Sequence, residues 1–202
     1  MFTGIIEQPA RVTATEDHRG GRRVSVSHAW TDLRHGESIA INGCCLTVAE
    51  FDDNTVTFDV ITETLDKTNL RGISNGDLLH VERALAANGR LDGHFVQGHI
   101  DATAELVHRV ANDVEWRLRV RVPEAMVKYL MPKGSVCIDG VSLTIADLSD
   151  DWFEVTLIPT TLDKTALGQR PIGYRFNFEA DILAKTIVTH LERVANAQAQ
   201  KA

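Results

Sequence analysis

The sequence is short of everything that marks a secreted, membrane-spanning or nucleic-acid-binding chain. It has only 3 cysteines, Cys44, Cys45 and Cys137, two of them adjacent. An odd, clustered set is a poor disulfide framework and fits a reducing, cytoplasmic compartment better. No apolar run approaches the ~18 residues that would suggest a membrane span. The opening residues Met1-Phe2-Thr3-Gly4-Ile5-Ile6-Glu7 lack a basic segment followed by an apolar stretch, so no secretory signal is expected there. Basic residues are outnumbered, 21 Lys and Arg against 28 Asp and Glu. The resulting charge of -7 argues against a nucleic-acid partner. Arg22-Arg23 and Arg117, Arg119, Arg121 are local exceptions. The second set alternates with Leu118, Val120 and Val122, as the solvated face of a strand does. No CxxC, HExxH or glycine-rich phosphate loop occurs, so neither a metal nor a nucleotide cofactor is expected.

What is present is an ordinary globular composition, 44% hydrophobic and 24% charged, in 202 residues. The chain also repeats itself. Asn42-Gly43-Cys44-Cys45-Leu46-Thr47-Val48 matches Asp139-Gly140-Val141-Ser142-Leu143-Thr144-Ile145 at a spacing of 97. Thr64-Leu65-Asp66-Lys67-Thr68 matches Thr161-Leu162-Asp163-Lys164-Thr165 at the same spacing. Gly4-Ile5-Ile6-Glu7 matches Gly98-His99-Ile100-Asp101 at a spacing of 94. Solenoid repeats run about 20–50 residues, so this is a duplicated small domain. The expected units are 1–92, 93–182 and 183–202, with Ala86-Ala87-Asn88-Gly89-Arg90 as the connection.

Each copy reads as short strands. Val24 and Val26 alternate with Ser25 and Ser27; Thr55–Val60 is rich in β-branched residues; Trp116, Leu118, Val120 and Val122 keep a period of two. Asn42-Gly43 and Asp139-Gly140 are hairpin signals. Many short strands with regular turns predict small antiparallel barrels. Pro123–Leu130 predicts a short helix with proline at its first position. From Ile182 onward there is neither glycine nor proline, and Ile187, Val188, Leu191, Val194 and Ala195 form one apolar helical stripe. That stripe packs either on its own barrels or on another subunit.

Several side chains are candidates for chemistry. His94 and His99 are five apart, which places them on opposite faces of a strand and makes them poor joint metal ligands. They are either structural or catalytic. Cys45 is either a small buried thiol or a nucleophile. Thr47, Thr64, Ser142, Thr144 and Thr161 recur as hydroxyls at matching positions, as two pockets for one polar, uncharged ligand would need. The copies also differ: Ile5 against His99, Cys45 against Ser142, Thr62 against Pro159, Glu63 against Thr160. Two similar pockets with different equipment can bind one molecule and treat it differently.

The opening Met-Phe-Thr-Gly-Ile-Ile, Asn42–Thr47, Gly93-His94 with Gly98-His99, and Asp139–Thr144 together resemble the riboflavin synthase family of duplicated lumazine-binding domains. The resemblance covers essentially the whole chain. It implies a mainly β fold: two six-stranded Greek-key antiparallel β-barrels and a C-terminal α-helix. It implies a homotrimer with the active site between subunits, 6,7-dimethyl-8-ribityllumazine as substrate and no cofactor, and it raises association with lumazine synthase. By position, the N-terminal pocket would use Phe2, Gly4, Ile5, Ile6, Ser38, Cys45, Leu46, Thr47, Asp59, Val60, Ile61, Thr62, Glu63 and Thr64. The C-terminal pocket would use Gly98, His99, Ile100, Lys133, Asp139, Ser142, Leu143, Thr144, Thr156, Leu157, Ile158, Pro159, Thr160 and Thr161. Cys45, His94, His99, Ser142, Thr144 and Asp181 are the implied catalytic set. The alternatives are a non-catalytic lumazine- or flavin-binding relative and a flavin-dependent oxidoreductase on a similar barrel.

Overall fold

The computed structural model describes residues 1–112 and 114–200. The first six strands are β1 (Gln8–His18), β2 (Gly21–Ser27), β3 (Ser38–Ile41), β4 (Cys44–Phe51), β5 (Thr55–Ile61) and β6 (Leu78–Arg83). The next six are β7 (Ala102–Ala111), β8 (Trp116–Arg121), β9 (Ser135–Ile138), β10 (Val141–Leu148), β11 (Trp152–Thr156) and β12 (Arg175–Ala180). Each set closes into an antiparallel barrel, in the order β1-β2-β5-β4-β3-β6 and its equivalent β7-β8-β11-β10-β9-β12. Three strands joined by hairpins, with the preceding strand lying beside the last of them, make a Greek key in each.

The strands alternate as period-two patterning requires. On β4, Cys44, Leu46 and Val48 point inward while Cys45 and Thr47 are more exposed; on β10, Val141, Leu143 and Ile145 point inward while Ser142 and Thr144 face out. The two spacings have a structural cause. Strand pairs keep the 94 offset through β2 and β8, Ser27 opposite Thr55 matching Arg121 opposite Trp152. The β8–β9 connection is then three residues longer than the β2–β3 connection, which makes the offset 97 from there on. Those extra residues sit around α2 (Glu124–Val127). This helix is half as long as the sequence predicts. Pro123 is its N-cap, and the chain continues to Leu130 through tight turns, Tyr129 N–H to Met126 O and Leu130 N–H to Val127 O.

The barrels meet back to back at their hairpin turns. Asn42, Gly43, Asp139 and Gly140 all have positive φ, as a type I′ turn needs. A Cβ on Gly43 would stand 2.6 Å from the Gly140 backbone N, so glycine is required by both the turn and the contact. Around this point one hydrogen-bond pattern occurs twice. His80 N–H donates to Asn42 Oδ1, and Asn177 N–H to Asp139 Oδ1. The His80 Nδ1 meets Asp139 O, and Asn177 Nδ2 donates to Asn42 O. Asn69 N–H donates to Asn177 Oδ1, and Ala166 N–H to His80 Nε2. Because Nε2 accepts, Nδ1 carries the proton, and the ring imitates a carboxamide.

Two connecting segments cross between the barrels. Phe2 and Val96 pair as an antiparallel bridge on the approximate twofold axis. Beyond it, Ile6 joins the core of the second barrel and Ile100 packs on the core of the first. Finally α4 (Ile182–Ala199) is anchored on the second barrel by buried Ala184, by Lys185 to Asp101 at 2.5 Å and by Lys128 to Glu192 at 2.7 Å. Its other face leaves Leu183, Ile187, Leu191 and Val194 exposed. Of the expected stripe, Ile187, Leu191, Val194 and Ala195 are exposed and Val188 is half-buried, so most of it does not pack on the chain's own barrels. No helix is long and apolar enough to cross a membrane among the described residues.

Candidate functional site

The candidate pockets are shallow clefts on the outer barrel faces, where the outward residues of β4 and β10 meet a crossing segment. On the second barrel the cleft is about 520 Å³. It is lined by Lys133, Ser142, Leu143, Thr144, Thr156, Ile158 and Thr161, with Ile5 across them. On the first barrel it is about 280 Å³, lined by Cys45, Glu63, Thr64, Gly98, His99 and Ile100. A larger space of about 640 Å³ runs between the barrels past Arg71, Arg170 and Tyr174. Its cations are already engaged, Arg71 by Asp66, Arg170 by Leu78 O and the Tyr174 ring, and Arg175 by Thr103 Oγ1.

The crossing corrects the expected division of residues. Gly4, Ile5 and Ile6 were expected in the N-terminal pocket, yet they lie on the second barrel: Ser142 N–H donates to Gly4 O at 2.8 Å. Gly98, His99 and Ile100 were expected in the C-terminal pocket, yet they lie on the first: Cys45 N–H donates to Gly98 O at 2.9 Å. The contacts are close. A Cβ on Gly4 would stand 2.6 Å from the Ser142 Cβ, and one on Gly98 2.6 Å from the Cys45 Cβ. A repeat match shows which segments are related, not which barrel each covers.

Two further placements are corrections. Phe2 is fully buried between the barrels with Ala40, Val96 and Cys137, so it wedges them and does not reach a cleft. Asp139 is fully buried in its turn, holding Asn177, Asn69 and Tyr174. Burial pushes its carboxyl up to about 6. Leu46, Val60 and Leu157 point into the cores, leaving only backbone to a ligand. Asp59 is held by Arg23 at 2.9 Å, which keeps its carboxyl below the usual range. Ile61, Thr62 and Glu63 stand exposed on the first rim, as Ile158, Pro159 and Thr160 do on the second, with Glu63 paired to Lys67. Thr47 is exposed beside Cys45, and Ser38 is half-buried at the start of β3.

The implied catalytic residues divide between the two sides. His94 is buried, and its Nδ1 lies 2.7 Å from the Ser142 Oγ. Burial lowers its pKa, while the charge of nearby Asp181 opposes that shift. The shift favours the neutral ring, and in the tautomer with Nδ1 unprotonated that nitrogen accepts from the Ser142 hydroxyl. Asp181 also caps α4, accepting from Leu183 N–H at 2.9 Å. His99 is exposed in the other cleft, beside Cys45. Of the three thiols, Cys44 and Cys137 are buried, and burial pushes Cys44 up to about 12, leaving Cys45 as the half-buried one. Sequence reasoning missed Glu82 and Glu179, which hold the crossing segments. Their spacing of 97 is the signal that would have found them.

A family model described as the lumazine binding domain matches residues 3–84 and again 97–181. The chain is 42% identical over 193 residues to riboflavin synthase of Mycobacterium tuberculosis (strain ATCC 25618 / H37Rv), covering 93% of this chain and 96% of that one. The chain belongs to the riboflavin synthase family. The family's enzyme from Bacillus subtilis (strain 168) is 38% identical over 205 residues, covering 100% of this chain and 94% of that one. That from Escherichia coli (strain K12) is 38% identical over 202 residues, covering 98% and 95%. Among solved structures, LumP complexed with riboflavin superposes with a TM-score of 0.80 at 22% identity, over 89% of this chain and 99% of that one. LumP complexed with 6,7-dimethyl-8-(1'-D-ribityl) lumazine gives 0.79 at 20%, with the same coverage. At that identity the likeness supports the fold, which is the two-barrel fold of this family.

Proposed function

We propose that the chain catalyses the dismutation of two molecules of 6,7-dimethyl-8-ribityllumazine into riboflavin and 5-amino-6-(D-ribitylamino)uracil. The observation that carries this reading is the pair of repeat-related clefts, each with hydroxyls at the rim and each closed by a segment from the other copy. One lumazine gives a four-carbon unit to the other. The two substrates contain every atom of the two products, so the overall reaction needs no outside oxidant or reductant. A proton leaves the acidic C7 methyl of one ring, and a nucleophile adds at C7 of the other. The neutral His94 beside Ser142 suits activation of a hydroxyl or water, and His99 suits proton transfer in the opposite cleft. Holding two flat rings against each other supplies much of the rest.

The exposed stripe of α4 supports a homotrimer in which the first barrel of one subunit faces the second barrel of the next. A reducing cytoplasmic location fits the free thiols. The decisive experiment follows riboflavin fluorescence after adding lumazine to purified protein, with and without a chelator. Turnover in both confirms a metal-free synthase. Tight binding without turnover would instead make the protein a lumazine carrier of the same fold. Inhibition by the chelator, reversed by a divalent ion, would overturn the metal-free mechanism.

A further inference from the structure

Each crossing segment is held by one buried glutamate. Glu82, on β6 of the first barrel, accepts from Thr3 N–H at 2.6 Å, Thr3 Oγ1 at 2.7 Å and Gly4 N–H at 2.9 Å. Glu179, on β12 of the second barrel, accepts from Gln97 N–H at 2.7 Å and Gly98 N–H at 2.9 Å. In both, the two carboxylate oxygens take successive backbone N–H groups. The residue after the second N–H is Ile5 in one case and His99 in the other, and each lines the cleft of the barrel opposite its glutamate.

The choice of side chain is costly. The two residues are 4% and 2% exposed, and among the described residues neither has an ion-pair partner. Burial raises both carboxyls, that of Glu179 to about 7. An uncompensated buried carboxylate is unfavourable unless backbone donors satisfy it. A glutamine would be cheaper to bury, but it offers one acceptor oxygen and an NH₂ that repels a second N–H. Only the carboxylate grips two consecutive amides at once, fixing the direction in which the next residue leaves.

We propose that Glu82 and Glu179 are positioning residues, each fixing the wall of the cleft on the opposite barrel: Glu179 sets His99 and Ile100 across the first barrel, and Glu82 sets Ile5 across the second. This assignment rests on the dismutation reading above. Its consequences are unequal because the walls are unequal. Glu179 aims a side chain that can move a proton, so it acts on the chemical step. Glu82 aims an aliphatic side chain, so it acts chiefly on binding.

The test uses the full chain with Glu179→Gln and Glu82→Gln, each alone and combined with His99→Ala. E179Q should lower kcat between about 10- and 100-fold, the scale of a displacement on the order of 1 Å. Its KM should stay within about threefold. In the H99A background that loss should largely vanish, because Glu179 acts through His99. E82Q should raise KM by about tenfold, lower kcat less than E179Q does, and keep its effect in the H99A background. Amide hydrogen exchange should quicken at residues 97 and 98 in E179Q, and at 3 and 4 in E82Q. A loss of activity in E179Q that is undiminished by H99A, or exchange unchanged at the gripped amides of either variant, overturns the proposal. If E179Q does not fold, Gly98→Ala displaces the same segment with Glu179 intact and must give the same H99A-dependent fall in kcat; turnover like wild type overturns it. Wild-type protein that makes no riboflavin defeats the functional reading instead, and the exchange arm still decides the positioning.

Discussion

The two barrels share one frame and differ in what they hang on it. Strand order, hairpin turns, buried glutamates and the inter-barrel hydrogen bonds correspond position by position. The clefts do not. Where the first barrel has Gly36 at φ 79, the second has Lys133 at φ 66, a side chain in a left-handed conformation that costs on the order of 1–3 kcal/mol without glycine. Where the first has Cys45, the second has Ser142 with His94 against it. Only the second barrel carries α4. A duplicated frame keeps two sites able to hold one ligand shape, and the added groups are where the sites come to treat it differently.

Removing α4 breaks the comparison most severely. Truncation before Ala184 should leave both barrels folded but convert the proposed trimer to monomer. The deletion removes three exposed aliphatic side chains, Ile187, Leu191 and Val194, each contributing roughly 1.5–3 kcal/mol when buried, enough to hold subunits together. Turnover per folded chain should fall by at least ~1000-fold at low concentration, because the two rings are no longer brought together. Molar mass and activity measured over a dilution series check this. A fully active monomer would show that both rings react within one chain.

The unequal side chains come next. Ser142→Ala and His94→Gln should each lower turnover by ~100-fold or more, the usual worth of a placed acid–base group. Cys45→Ala, lacking a buried histidine beside it, should cost about tenfold less than that. Melting temperatures should move by less than ~4 °C in Cys45→Ala and Ser142→Ala. Equal losses from Cys45→Ala and Ser142→Ala would make the clefts functionally alike.

A third measurement tests which cleft owns the crossing segments. The strands of the first barrel are complete within residues 8–83, so fragment 1–92 should fold. It lacks the Gly98–Ile100 wall, so it should bind riboflavin weakly. Extension to residue 101 restores the Cys45 N–H contact to Gly98 O without the grip of Glu179, so it should recover part of the affinity, at most about tenfold or roughly 1.4 kcal/mol. Titration calorimetry of both fragments decides it; identical affinities would mean the wall contributes nothing.

Much of this was legible in the sequence because it is local or repeated. The matches around Asn42 and Asp139 mark the turns, and the alternation of Cys45 and Thr47 or Ser142 and Thr144 marks the outward faces. The crossing was not legible. Gly4 and Gly98 are equivalent under the repeat, and equivalence is preserved whether each covers its own barrel or the other. The resemblance implies Phe2 and Asp139 as pocket residues, but both are buried where the two barrels meet, a contact that no local pattern encodes. The helix after Pro123 is shorter than the sequence predicts because the chain from Val127 to Leu130 closes i to i−3 turns instead of continuing the helical ladder.

The last effect, one on stability rather than turnover, concerns a place where the frame itself is unequal, His80 against Asn177. The His80 ring is fully buried, donates from Nδ1 to Asp139 O and accepts at Nε2 from Ala166 N–H, as the Asn177 amide does in its own half. Desolvation brings its pKa down from 6.5 to about 4. The unfolded chain therefore binds a proton here that the folded chain refuses, between about pH 6.5 and 4. His80 lowers stability as pH falls through that window, by about 3 kcal/mol in full. Glu179 and Asp139, raised to about 7 and about 6, have the opposite slope, losing stability as pH rises from their unfolded values. Neither curve alone isolates the histidine, but the difference between wild type and His80→Asn does. At pH 7.5 the two proteins should agree within about 1 kcal/mol, since the amide can keep the frame's donor and acceptor. At pH 5 His80→Asn should be the more stable by about 2 kcal/mol. Urea unfolding at the two pH values measures both. A large loss at pH 7.5 would mean that the ring fills space an amide cannot, and the imitation would be one of hydrogen bonds alone.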